Sequence, residues 1–328
     1  MLWPPARRAG ATGPRVWAAV FASGCLFAGA LGAFAAPAAV AARNDYADAA
    51  FDRALGAGMR AFYVRDFAAA RGSFEHALAV IPDNTLAISF LNATAMQTPG
   101  GLDALIDSEE DALGKHSKDY LTHVRLGFSY MFAAQTGRDR DADAREELNA
   151  ATGLQPDAAA AHVGLGILRE TERSMNRAKV EFLAALRADE TNVLAREYLG
   201  LIYQADLRDP QRGLAYVIDI PNLLPDYADI YYHIASLFDD LGQPDAALKY
   251  ATLGLEKDIG HVGEAGQHGY TLLARIYLNE RKTGDARRVL RASIAANVDT
   301  AIAATLLRKI DNGDYDARTV TPPPRAER

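Results

Sequence analysis

The chain has one cysteine, Cys25, and two tryptophans, Trp3 and Trp17, and all three fall within its first 25 residues. The remainder has no thiol to serve as nucleophile or metal ligand, and no disulfide to staple a core. It also lacks an H-E-x-x-H pair, a glycine-rich loop ending in Lys-Ser or Lys-Thr, and a G-x-S-x-G turn. Those absences remove the commonest local signatures of zinc proteases, nucleotide hydrolases and serine hydrolases. Basic charge is in deficit, with 35 Lys and Arg against 42 Asp and Glu and a formal net charge of -7. Such a surface suits nucleic acid poorly.

The first forty residues differ from the rest. Arg7, Arg8 and Arg15 precede an uncharged run from Val16 to Ala36, and small residues then offer Ala-x-Ala sites ending at Ala35, Ala38 or Ala41. This order predicts a secretory signal peptide over residues 1–41 and a periplasmic or secreted mature protein without membrane attachment. The run also has the length of a membrane anchor, although it is mostly Ala and Gly. Cys25 after Ala22, Ser23 and Gly24 is loosely similar to a lipoprotein signal, but the chain stays apolar beyond it.

What the chain does have is a period. Ala159 to Asn192 reads as two helices and a tight turn, with Val163, Leu165, Gly166 and Ile167 in the first helix. The second carries Ala178, Val180, Phe182, Ala185 and Leu186, in the mixed spacing of paired amphipathic helices. Phe51 to Asn84 is also 34 residues long and lays Gly58 over Gly166, Ala70 over Ala178, Phe74 over Phe182, Ala77 over Ala185 and Asn84 over Asn192. A glycine at position 8 lets the second helix come close, and the aromatic ring at position 24 fills the space left between units. One helix pair cannot bury both apolar faces, so copies must stack.

The period and these positions resemble the tetratricopeptide repeat family. The resemblance implies an all-α fold, a right-handed α/α superhelix of about seven helix-turn-helix repeats that is non-catalytic, needs no cofactor and binds a protein or peptide segment. Units begin near Phe51, Thr85, Tyr120, Ala159, Val193, Ala228 and Gln267, and Thr300 to Ile310 reads as a capping helix with Ala304, Leu307 and Ile310 inward. The expected organisation is a signal peptide at 1–41, a lead-in at 42–50, the solenoid and cap at 51–311 and a mobile tail at 312–328.

In the family, positions 2, 5, 9 and 12 of each first helix line a concave groove. With position 13 they give Leu55, Met59, Phe62 and Tyr63, then Met96, then Leu121, Val124, Phe128, Met131, Phe132, Val163 and Ile167. The expected partner site is thus an apolar groove in the N-terminal half built on Met59, Phe62, Tyr63, Met96, Phe128, Met131, Phe132 and Ile167, suited to an apolar or amphipathic segment. The same side chains also suit closure of the superhelix on itself. A second class of function, a metal-dependent enzyme, would rest on His261, Glu264 and His268 in a loop with Gly at every third position. Asp139, Asp141 and Asp143 are similar to half of a calcium loop but lack its glycine and final Glu, and read better as a solvated turn. Self-assembly through the edges of the superhelix is a third reading.

Overall fold

A computed structural model describes residues 45–263 and 268–313, so the expected signal peptide and most of the tail lie outside the described residues. A short 3-10 turn, Asp45–Ala47, leads into helix pairs α1 (Ala49–Tyr63) and α2 (Phe67–Val80), α3 (Thr85–Met96) and α4 (Gly101–Lys115), α5 (Tyr120–Gln135) and α6 (Asp141–Leu154), and α7 (Ala159–Thr171) and α8 (Met175–Ala188). α9 (Val193–Ala205) pairs with α10 (Pro210–Val217), which is followed by the single turn α11 (Ile220–Leu223). α12 (Ala228–Asp240) pairs with α13 (Pro244–Lys257), α14 (Gly269–Asn279) with α15 (Thr283–Ala295), and α16 (Thr300–Asp311) closes the series.

The repeat spacing is enforced by capping. Asn84 and Asn192, each the last residue of its 34-residue window, accept hydrogen bonds from the amides of Ala87 and Ala195 and so start the next unit. Asp66 and Asp209 do the same for second helices, through Ala69 and Arg212. The second helix of the fifth unit breaks after Val217, because Pro221 has no amide proton to continue the ladder.

Within a pair, size complementarity sets the approach. A Cβ on Gly58 would stand 2.5 Å from the Phe74 ring, and one on Gly166 would stand 2.6 Å from Phe182. Neither ring has room to retreat, since both are fully buried. Val180 is 59% exposed and belongs to the outer face, and in the cap Ala303 is buried in place of Ala304.

The first helices and second helices differ in how they are buried. α2, α6, α8 and α13 bury one stripe each, such as Ala144, Leu148 and Ala151 in α6. α3 and α5 are apolar nearly all round and buried to match, with Leu126 to Ala134 covered without interruption in α5. First helices therefore form an inner layer inside a jacket of second helices. One core runs from Phe51 to Leu237.

The superhelix closes on itself at a seam between the first unit and the fifth and sixth. Thr85 Oγ1 donates to Asn192 Oδ1 at 3.2 Å, and the Phe90 ring meets Tyr227 edge-on at 5.8 Å. Tyr63 Oη donates to Asp229 Oδ2 at 3.0 Å, its carbonyl accepts from Gly260 N at 2.6 Å, and Arg60 pairs with Asp226. α14 to α16 extend past this closure and have small cores of their own.

Candidate functional site

Closure places the sequence-predicted groove in the core. Met59, Phe62, Tyr63, Phe128, Met131, Phe132 and Ile167 are each at most 5% exposed, as are Leu55, Val124 and Val163. Phe62, Tyr63, Phe74 and Phe90 form one aromatic cluster with centroids 5.1–6.1 Å apart. In this conformation the cluster is covered and offers a partner no surface. Met96 alone of the eight is reached by solvent, in a recess of about 370 Å³ shared with Thr98, Leu102, Asp103 and Arg138.

The histidine loop does not converge on one point. His268 Nδ1 lies 2.7 Å from Asp299 Oδ2, the His261 ring leans on Tyr270 at 5.2 Å, and Glu264 lies outside the described residues. Among the described residues no group of three or more His, Cys, Asp or Glu is placed to hold a metal ion. Asp141 and Asp143 begin α6, and Arg140 ties that turn together through Asp143 and Glu110 while lying over the Tyr130 ring. His162 spans the fourth unit, with Nδ1 at 2.8 Å from Glu181 and Nε2 at 2.9 Å from the Pro156 carbonyl. The Glu181 hydrogen bond raises its pKa. His233 is buried among apolar neighbours, which push it down to about 3 and keep it neutral.

A different wall is built where the superhelix is not filled. Gln204 of α9 donates through Nε2 to Ser236 Oγ at 3.0 Å and to Asp240 Oδ2 at 2.5 Å, both on α12. One unit on, Arg275 of α14 donates to Asp239 Oδ2 at 3.1 Å, and Asn279 Nδ2 approaches Asp239 Oδ1 at 3.4 Å. These side chains sit at positions 9, 12 and 13 of the fifth, sixth and seventh units. The register that yields Phe62 and Phe128 in the first half therefore turns polar in the second, a signal already present in the sequence. Asp240 and Asn279 are exposed at its mouth.

Carboxylates recur at the C-terminal ends of these first helices: Glu170 on α7, Asp206 after α9, Asp239 and Asp240 on α12, and Glu280 after α14. A helix C-terminus carries partial negative charge and disfavours each of them. Burial and then the charge of Asp206 push Glu170 up to about 7. The wall thus presents acceptors and negative charge at repeat spacing, which favours a segment bringing donors and positive charge.

This architecture defines an α-solenoid of helix pairs. Residues 228–256, which are α12 and α13, match the family model of the tetratricopeptide repeat, and the solenoid is built of tetratricopeptide repeats. PilF of Pseudomonas aeruginosa shares the fold at 18% identity and a TM-score of 0.50, over 66% of this chain and 88% of that one. YrrB, described as a tetratricopeptide repeat protein with an unusual peptide-binding site, is similar at 19% identity and a TM-score of 0.46, over 62% of this chain and 99% of that one. A tetratricopeptide repeat protein from Parabacteroides merdae is similar at 16% identity and a TM-score of 0.47, over 80% and 98%. No curated protein matches the chain.

Proposed function

We propose that the chain is a non-catalytic interaction scaffold of the bacterial cell envelope, exported by its N-terminal segment, that holds an extended basic segment of a partner protein on the wall of the fifth to seventh units. The observation that carries this reading is the ladder of Gln204, Ser236, Asp239, Asp240, Arg275 and Asn279 across three successive first helices. Packed helices lie about 9 Å apart, and extended chain rises roughly 3.3 Å per residue, so one contact per unit corresponds to about every third residue of a peptide. Export is supported by Arg7, Arg8 and Arg15 ahead of the uncharged run from Val16 to Ala36.

Peptides with Lys or Arg at every third position, tested against acidic and apolar amphipathic controls, address the wall directly. Asp240→Lys is expected to weaken binding of the basic peptides tenfold or more, by roughly 1.4 kcal/mol or above, while Met96→Ser leaves it unchanged. Equal binding by folded Asp240→Lys defeats the assignment. The earlier candidates Met59, Phe128 and Met131 are unsuitable for such a test, because replacing buried side chains by Ser unfolds the core along with any site.

A further inference from the structure

We propose that the seam between the first and sixth units is a pH-responsive clasp, closed in acid and loosened above neutrality, that controls access to the apolar side chains beneath it. The covering element is the loop after α13. Its Gly260 amide donates to the Tyr63 carbonyl, and Asp258 folds it over α1 by accepting from Val262 N at 3.0 Å. Gly263 packs against the Asp229 carboxylate so closely that a Cβ there would stand 2.4 Å from Oδ1. Asp258 and Asp229 are both buried, at 0% and 1% exposure, and one loop covers both.

The groups facing this pair are mostly acidic or phenolic. Tyr63 comes from α1, Tyr227 from the residue before α12, Tyr232 from α12 and Glu197 from α9, with Tyr270 of α14 beyond Tyr232. Basic groups stand at the rim: Arg60 on Asp226, Arg65 beside Gly260, and Lys257 over the Tyr231 ring. His261, on the loop itself, is held toward its neutral form by burial and then by Arg65. Burial and the charge of Asp229 push Asp258 up to about 7, above its ordinary value of 3.8. Closure therefore binds a proton and weakens as pH rises through about 7. His261 already takes a left-handed φ of 50°, so the loop gains backbone freedom when it lifts. Lifting it uncovers Tyr63 and, behind it, Phe62 and Phe90.

The full chain with Cys25→Ser has no other thiol, so Val64→Cys and Ile259→Cys can carry spin labels on two exposed positions flanking the seam. Electron–electron distance measurements are expected to give one short, narrow population near pH 5.5 and a second, longer one near pH 8.5. Binding of bis-ANS should rise several-fold over the same interval of about three pH units. Asp258→Asn should hold the short distance and low dye binding at both pH values. An unchanged wild-type distance overturns the proposal, as does a folded Asp258→Asn that still responds. If that variant does not fold, the wild-type pH series alone decides. No partner enters these readouts, so they stand or fall apart from the basic-segment site.

Discussion

Gly166 and Phe182 are two halves of one packing decision, and so are Gly58 and Phe74. The ring occupies the volume a side chain at the glycine would need, and neither ring has solvent behind it. Gly166→Leu is therefore expected to destabilise by about 1–3 kcal/mol, against a small effect for exposed Arg187→Ala; equal shifts in melting midpoint would show that the two helices do not meet there. These pairs were legible in the sequence because small and large residues recur at fixed offsets. Tyr63 and Asp229 were not, because 166 residues separate them and neither residue type departs from what a surface helix would carry.

At the scale of the element, helix boundaries followed from signals the chain repeats. Asn84 and Asn192 both end a window and both cap the next helix, but Asn192 has a second task. Its side-chain oxygen accepts from Ala195 N and also from Thr85 Oγ1 across the seam. Asn192→Ala should cost about 1–2 kcal/mol, the upper range for a cap, and hydrogen exchange should show the added opening at α3 as well as α9. Protection lost in α9 alone would mean that the Thr85 contact contributes nothing. The break after Val217 was less legible: Pro221 was visible, but whether the chain stops there or kinks and resumes depends on Ile220, which the core buries. The apolar stripes of α3 and α5 posed a harder ambiguity. A run of Met and aromatic residues looks alike whether it faces a partner or its own chain, and only the curvature of the whole superhelix decides.

That curvature also places ionisable groups where water cannot reach them, with opposing effects of pH. Burial pushes Glu197 up to about 7 even though Tyr227 donates to it at 2.6 Å, and Asp258 is raised to the same range. Both carboxyls stabilise the fold fully below their unfolded pKa values, and the contribution is lost as pH rises through about 7. His233 acts in the other direction: its pKa is lowered to about 3, so its contribution is present above about 6.5 and is lost as pH falls. Two groups outweigh one, and stability should decline from weakly acidic to neutral pH. Glu197→Gln keeps an acceptor for Tyr227 and removes the charge. It is expected to match the wild type near pH 4.5 and to exceed it by about 1–3 kcal/mol near pH 8, as read from denaturant midpoints; an equal difference at both pH values would show that Glu197 does not titrate in this range. The joining of the first unit to the sixth has a further consequence, for the order in which the chain can assemble. In an open array each unit needs only its neighbour, and folding can begin anywhere and spread. Here the hydroxyl of Tyr63 waits for a carboxylate 166 residues downstream, so the first helix to be made is among the last to be locked, and the entropy of closing that long loop falls on the final step.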